Sequence, residues 1–169
     1  MPIEFRQGKP QSMILDNTKT ILEIQEWPFQ SLDATTLKID IDGKAANWVV
    51  LIKALEEIGQ LVIYSIAANK APELRRNAVQ EFLTRANFGL RIGNFEFDLD
   101  TGEIRFKTSL QFAGETLVPE MIEQCLLINV LTMEKYLPGI LQMIFTDSSA
   151  ETVIASIEDH SSTPAPESL

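Results

Sequence analysis

The side chains that carry out most covalent enzyme chemistry are scarce in this sequence. It contains one cysteine, Cys125, and one histidine, His160. A thiol or hydroxyl nucleophile needs a histidine positioned beside it to take its proton. Cys125 lies in an apolar stretch, whereas His160 lies in a polar segment near the end of the chain. We therefore predict a buried, inert thiol and no nucleophilic active site.

Two short acidic segments that end in glycine, residues 40–43 and 98–102, resemble the start of a calcium-binding loop. An EF-hand loop also needs glycine at position 6 and glutamate at position 12. Counted from Asp98, Gly102 stands at position 5 and Ser109 at position 12. Because tight turns also select Asp and Gly, we interpret both segments as turns.

The remaining residues do not assemble a metal site or a phosphate-binding loop. One cysteine and one histidine exclude an internal disulfide, multi-cysteine zinc sites and histidine-based sites. The Gly-Lys pairs at 8–9 and 43–44 lack the glycine spacing and the Ser or Thr of a P-loop. The sequence thus predicts no catalytic residue, no metal and no cofactor, in a protein that is not an enzyme.

The composition indicates one folded domain with an uneven charge. The 169 residues are 45% apolar, and their net charge is −10. This acidity argues against a nucleic-acid partner, because phosphate binding needs clustered Lys and Arg. Residues 1–113 hold 13 basic and 15 acidic side chains, whereas residues 114–169 hold one basic and nine acidic ones. A partner selected by charge is therefore predicted to be basic and to bind the C-terminal part.

The ends of the chain differ in composition from the middle. No apolar leader is visible, and no stretch approaches the roughly 18 apolar residues of a membrane span. Residues 160–168 carry two prolines and no apolar side chain larger than alanine. We predict a cytoplasmic protein without membrane contact, with a flexible N-terminus (1–12), a single domain (13–157) and a disordered tail (158–169).

Hydrophobic periodicity predicts the first elements. Apolar residues at helical spacing predict a helix near 14–24, and alternation over 37–41 predicts a strand. Residues 45–58 are ambiguous, because their first half is β-branched and aromatic whereas their second half favours a helix. The flanking glycines favour a strand, a turn at 57–60 and a further strand over 61–66. A helix over 45–58 stays open as the alternative.

A second helix is predicted to begin at Pro72 and to end with Gly89 in a left-handed cap. Alternating residues over 95–98 and 104–107 then predict an antiparallel hairpin. The predicted buried face of this helix consists of Leu74, Ala78, Val79, Phe82, Leu83 and Ala86.

The last predicted helix is long and covers residues 118–145, with a kink or break at Pro138 and a further short helix over 150–157. Strands segregated from helices in this order predict the α+β class, with an antiparallel sheet packed on helices in the order α-β-β-β-α-β-β-α. The predicted buried side of the long helix consists of Met121, Ile122, Cys125, Leu126, Met133, Leu137, Ile140 and Ile144.

The order of several motifs over about 37–145 resembles a known family. They are Trp48, the apolar strand 61–64, Pro72 opening a helix that ends in residues 83–87, the segments 93–98 and 102–106, and the long closing helix. In combination they look like the YbjN family of candidate bacterial sensory-transduction regulators, whose fold is similar to that of type III secretion chaperones. The family fold has the same element order, and this implies a strand over 46–57.

The resemblance implies protein–protein interaction or regulation, with no catalytic residues. It also implies a homodimer that holds an extended segment of a partner. Our leading hypothesis is a non-enzymatic, chaperone-like interaction module of unknown partner, with an apolar groove between sheet and helix. The alternative is a small-molecule-binding or enzymatic α+β cup with an enclosed apolar pocket. The predicted partner or dimer surface consists of Trp48, Tyr64, Arg85, Asn87, Phe95, Phe97 and Arg105.

Overall fold

The computed structural model describes residues 13–112 and 118–159, which form four helices and six strands. The helices are α1 (Met13–Ile24), α2 (Arg76–Gly89), α3 (Pro119–Phe145) and α4 (Ala150–Asp159). The strands are β1 (Gln30–Ser31), β2 (Thr36–Asp42), β3 (Asn47–Leu55), β4 (Gln60–Ala67), β5 (Asn94–Phe97) and β6 (Ile104–Gln111). The predicted element order is therefore present, with the short β1 added and α4 where the final short helix was expected.

All the strands belong to one antiparallel sheet in the order β1-β2-β3-β4-β6-β5, which confirms the predicted α+β class. The ambiguous segment 45–58 supplies β3, which pairs along its length with β2 and β4. Its β-branched and aromatic residues suit a pleated surface. The turn Glu56–Ile58, followed by Gly59 with a φ of 62°, connects β3 to β4.

One face of the sheet carries the hydrophobic core. Alternate residues of the long strands point toward the helices and are almost fully buried. Helix α3 packs on β4 and β6, α2 packs on β5, and α4 packs on α2 and α3. The largest fully buried side chains include Leu37, Ile52, Ile63, Phe82, Phe106, Met133 and Leu137.

A cluster of hydrogen-bonded polar side chains lies inside this core. The amide nitrogen of the fully buried Asn129 donates to Thr108 Oγ1 at 3.1 Å and to two strand carbonyls. The amide oxygen of Asn129 accepts a hydrogen bond from Ser65 Oγ at 2.7 Å, and Trp48 Nε1 donates to the same hydroxyl at 3.1 Å. We call Trp48, Ser65, Thr108 and Asn129 the polar cluster. Its directional bonds fix the position of α3 over β4 and β6.

The N-terminus of α1 is capped by a residue distant in sequence. Glu56, in the turn after β3, accepts hydrogen bonds from the backbone N–H groups of Ile14 and Leu15, both at 3.0 Å. The first N–H groups of a helix have no partner within the helix and carry partial positive charge, so a carboxylate stabilises them. This contact ties α1 to the β3–β4 hairpin.

Four details differ from the sequence-based expectations. Leu74 lies in the 3-10 turn Glu73–Arg75 that precedes α2, and its side chain is 96% exposed instead of buried. Gly89 is the last residue of α2 and does not take the left-handed conformation. Met121 is exposed in the first turn of α3. Helix α3 continues through Pro138, so the helix is not broken there, and the proline ring lies on the exposed side.

The predicted flexible N-terminus, residues 1–12, lies outside the described residues, as do residues 160–169 of the predicted tail. Glu158 and Asp159 belong to the last turn of α4 instead of the tail. The physical reason is that α4 buries Val153 and Ile154 against the core. This packing stabilises the helix past residue 157, where the sequence composition predicted the domain to end.

Candidate partner-binding surface

The second face of the sheet is not covered by any helix within the described residues. Five apolar side chains of β3 and β4 form its centre. They are half-buried by their neighbours in the sheet, and they do not belong to the core. We call this set the apolar patch, and it consists of Val49, Leu51, Val62, Tyr64 and Ile66.

The strand register arranges the central part of this face in three rows, because residues directly opposite each other on neighbouring strands share a face. The first row is Asp40, Val49, Ile66, Arg105 and Glu96; the second is Lys38, Leu51, Tyr64, Lys107 and Asn94; the third is Thr36, Lys53, Val62 and Ser109. The apolar patch therefore occupies the middle of the face, with polar side chains of β2 and β6 on either side.

Four basic side chains, Lys38, Lys53, Arg105 and Lys107, surround the apolar patch, and we call them the basic border. The guanidinium carbon of Arg105 lies 4.5 Å from the centroid of the Tyr64 ring, a cation–π contact. Lys38 forms an ion pair with Asp40 at 2.8 Å. Lys53 is exposed and forms no ion pair with another described residue. It is thus available to a partner.

One carboxylate, that of Glu96 on β5, binds two cations of the basic border. Its oxygens accept hydrogen bonds from Arg105 Nε at 2.8 Å and from Lys107 Nζ. Burial by itself raises the pKa of Glu96, but the hydrogen bonds and positive charges of Lys107 and Arg105 outweigh it, so the pKa lies below its usual value. Arg105 Nη1 also lies 3.9 Å from a carboxylate oxygen of Glu103, so two acids face the two cations on this side of the border.

We expect Glu96→Gln to lower the free energy of unfolding at pH 7 by about 1 kcal/mol, because the charge-assisted pairing is lost. The folded-state pKa of Glu96 is lowered, so its contribution is complete above the unfolded-state pKa and disappears as the pH falls through the folded-state value. Urea unfolding from pH 7 down to pH 2.5 measures this. A difference between wild type and variant that stays constant to the lowest pH contradicts the prediction, and Glu57→Gln in an exposed turn is the control.

The seven residues predicted as a partner surface do not share one surface. Trp48 and Phe95 are 2% and 4% exposed and belong to the core, so the prediction of direct partner contact is not supported for them. The reason is strand alternation, which points both rings toward the helices. Phe97 lies on the same side, half-buried against the core.

The polar members of the predicted set have mostly local partners. Asn87 accepts a hydrogen bond from the backbone N–H of Phe95 at 2.7 Å and donates to its carbonyl at 3.1 Å, so it joins α2 to β5. Arg85 pairs with Glu81 at 2.8 Å on the exposed side of α2. Of the predicted set, Tyr64 and Arg105 are the two that the structure brings together on the uncovered face.

The apolar groove predicted between sheet and helix is filled by core side chains. Met133, Leu137 and Ile140 of α3 occupy this space with almost no exposed surface. A depression of about 230 Å³ lies instead at one end of the sheet, and a small one of about 20 Å³ lies between α1 and α3. The larger depression is lined by Asp40, Ile41, Asp42, Asn47, Trp48, Val49 and Ala68.

The other residues considered for chemistry have structural roles. Cys125 is buried, as predicted, and burial raises the pKa of its thiol. Asp98 accepts hydrogen bonds from the Thr101 hydroxyl at 2.8 Å and from the Asp100 N–H at 2.9 Å, which lower its pKa and confirm the turn. Among residues 13–112 and 118–159, no three His, Cys, Asp or Glu side chains converge as a metal site would need. No helix in these ranges has both the length and the apolar composition to cross a bilayer.

Comparisons with known proteins identify the fold. No family model and no curated protein matches the sequence. The structure does match the crystal structure of YbjN from E. coli, which is described as a candidate transcription regulator. The TM-score is 0.54, the sequences are 11% identical, and the match covers 79% of this chain and 96% of that one. The chain has the YbjN-like fold.

Most of the uncovered face of this YbjN-like sheet was missed by sequence reasoning. The signal was present, since residues 48–52 and 61–64 are apolar at both odd and even positions. An antiparallel strand with one solvated face normally alternates between apolar and polar residues. The two-sided apolar character of these runs therefore indicates that the second face also contacts apolar groups. Lys53 and Lys107 carry no recognisable signal by themselves, because their positions depend on the register.

Proposed function

We propose that this YbjN-like chain is a non-enzymatic interaction module with a regulatory role, and that it binds a protein partner through the apolar patch. The observation that supports the proposal most strongly is that β3 and β4 are apolar on both faces while the described helices cover one. Contiguous apolar side chains on a surface mark interaction sites, because their burial against a partner removes them from water. The cytoplasmic location predicted from the sequence is part of this proposal.

The alternative of a small-molecule cup has no comparable support. It requires an enclosed pocket between the sheet and α3, and ligand pockets are typically about 300–1,000 Å³. That space is filled by buried side chains of α3. The depression of about 230 Å³ lies elsewhere, at the end of β2 and β3.

Leu51→Glu tests the proposal, because Leu51 lies in the central row of the patch and its side chain points away from the core. We expect the variant to fold and to lose partner binding by about tenfold or more, since a charge in the middle of an apolar interface is strongly unfavourable. The matched control is Leu131→Glu, the same change at a 63% exposed position of α3. Circular dichroism and thermal unfolding confirm that both variants are folded.

The measurement compares proteins crosslinked to wild type, Leu51→Glu and Leu131→Glu in a lysate of the source organism. A protein retained by wild type and Leu131→Glu but lost by Leu51→Glu supports the proposal, and its binding constant is then measured with purified components. An identical set of proteins on all three chains contradicts it. The homodimer implied by the family resemblance is also a proposal, and light scattering of the purified wild type tests it.

A further inference from the structure

We propose that Asn87 closes the β5 edge of the sheet to a second chain, because its side chain takes the place of a neighbouring strand. Strand β5 is the last in the sheet order, and among the described strands it pairs only with β6. An edge strand presents backbone N–H and C=O groups to which another chain can add a strand. This inference goes beyond the proposed function and does not depend on it, because it concerns an edge of the sheet and not the apolar patch.

The register of the hairpin determines which backbone groups of β5 are directed outward. In an antiparallel ladder, alternate residues direct both of their backbone groups to the same side. The Asp98 N–H donates to the Glu103 carbonyl at 3.0 Å, where the hairpin closes. The alternation then directs the backbone groups of Glu96 toward β6 and those of Phe95 and Phe97 away from it. Within this four-residue strand, Phe95 and Phe97 are therefore the outward positions.

The side-chain amide of Asn87 forms the two bonds that a strand residue would form with Phe95. Its oxygen accepts from the Phe95 N–H at 2.7 Å, and its nitrogen donates to the Phe95 carbonyl at 3.1 Å. A hydrogen-bonded pair of residues on adjacent strands exchanges the same two bonds. Asn94 Nδ2 also approaches the Phe95 carbonyl, at 3.4 Å, but the N–H is bound by Asn87. One of the two outward positions is thus already paired.

The end of α2 holds Asn87 at this edge. Helix α2 packs on β5, and Asn87 lies in its last turn beside the buried Ala86, eight positions before Phe95. Because the pair is made by a side chain, it satisfies Phe95 without presenting a new edge. An approaching chain finds only Phe97 with outward groups, and one position is too short for a strand, which usually has three residues or more.

Amide hydrogen exchange in the full wild-type chain tests the contact. Phe95 and Phe97 are both directed outward, and the described residues provide a partner for the Phe95 N–H only. We expect the Phe95 amide to exchange about tenfold more slowly than the Phe97 amide, or slower still, when measured by NMR. Equal rates overturn the proposal, because Asn87 would then not occupy the edge in solution.

Asn87→Ala tests the closure, and Asn77→Ala, the same change at an exposed position of α2, is the matched control. We expect sedimentation velocity from about 10 to 500 µM to show self-association beyond that of wild type for Asn87→Ala alone, because two opened edges can pair. At low concentration the Phe95 amide of this variant should exchange about tenfold faster than in wild type. At high concentration the Phe95 and Phe97 amides should both become protected, which locates the contact on β5.

Two results with Asn87→Ala overturn the proposal. One is fast exchange at Phe95 without added self-association, since the edge would then need no closure. The other is self-association that leaves the Phe97 amide unprotected, since the contact would then lie elsewhere.

Asn87→Asp is the second variant if Asn87→Ala does not fold. It retains the acceptor for the Phe95 N–H and loses the donor to the Phe95 carbonyl. We expect the Phe95 amide of Asn87→Asp to exchange within about threefold of the wild-type rate. Exchange as fast as at Phe97 overturns the proposal. Neither variant changes the apolar patch, so these results leave the test of the proposed function with Leu51→Glu independent.

Discussion

Replacing Asn129 with leucine is expected to lower the free energy of unfolding by about 3 kcal/mol, because buried polar groups lose their partners. The Asn129 amide donates to the carbonyl oxygens of Ile63 and Phe106 at 3.1 and 3.2 Å and to the Thr108 hydroxyl, and it accepts from Ser65. Leucine has a similar volume and fills the space. The decrease in the free energy of unfolding therefore measures the lost hydrogen bonds more than any change in packing.

Ser65→Ala supplies the comparison within the polar cluster. This variant removes the hydroxyl between Trp48 Nε1 and Asn129 Oδ1, and we expect a smaller loss of about 1–2 kcal/mol. Because the residues share one network, the double variant should lose less than the sum of the single losses. Urea unfolding of the four proteins measures this. An Asn129→Leu variant as stable as wild type would mean that the cluster does not stabilise the fold.

Gly102→Ala is the second substitution expected to have a large effect, with a loss of about 2–4 kcal/mol. Gly102 has a φ of 76°, and a Cβ atom there would lie 2.1 Å from the carbonyl oxygen of Ala71. That oxygen belongs to the backbone, and the adjacent Ala71 N–H donates to the Gly102 carbonyl at 2.8 Å. The clash therefore cannot be relieved by a side-chain rotation, and the turn must move away from the segment before α2.

Gly89→Ala is the matched control for this substitution. Gly89 lies in the last turn of α2, and the nearest atom to an added Cβ is a carboxylate oxygen of Glu158 at 3.6 Å. Since alanine favours helix over glycine, we expect no change or a gain of up to about 1 kcal/mol. Thermal and urea unfolding compare the variants. Equal losses for the two alanine variants would contradict the clash at Gly102.

The element order could be predicted from the sequence because it depends on local signals. Alternation identified β2, and proline and glycine positions delimited α2 and the β5–β6 hairpin. The flanks of residues 45–58 were enough to favour the strand β3. Local signals failed at Leu74, because the 3-10 turn before α2 changed which residues the helix presents to the core.

The candidate site could be predicted only in part, because side-chain type does not reveal which sheet face a residue occupies. Trp48 and Tyr64 are both aromatic residues of paired strands, yet Trp48 belongs to the core and Tyr64 to the uncovered face. One step along a strand reverses the face. The choice depends on where the helices pack, and helix packing is decided by contacts distant in sequence.

Long-range contacts also decided the polar cluster and the cap of α1. In the sequence, Asn129 is a polar residue within an apolar helical segment. Its hydrogen-bond partners lie 21–66 positions away along the chain. Glu56 caps a helix that begins more than 40 positions earlier. No local rule connects these pairs, because both depend on the packing of helices on the finished sheet.

The sequence by itself determined the α+β class, the run of strands and helices, the buried Cys125 and the scarcity of groups for covalent chemistry. It also placed the excess acid in residues 114–169, and the basic partner predicted for that part stays a prediction. The tertiary structure decided that Lys38, Lys53, Arg105 and Lys107, from a nearly neutral part of the chain, surround one apolar patch. A count of charges along the chain does not show which charged residues share a face, because the strand register brings residues distant in sequence together.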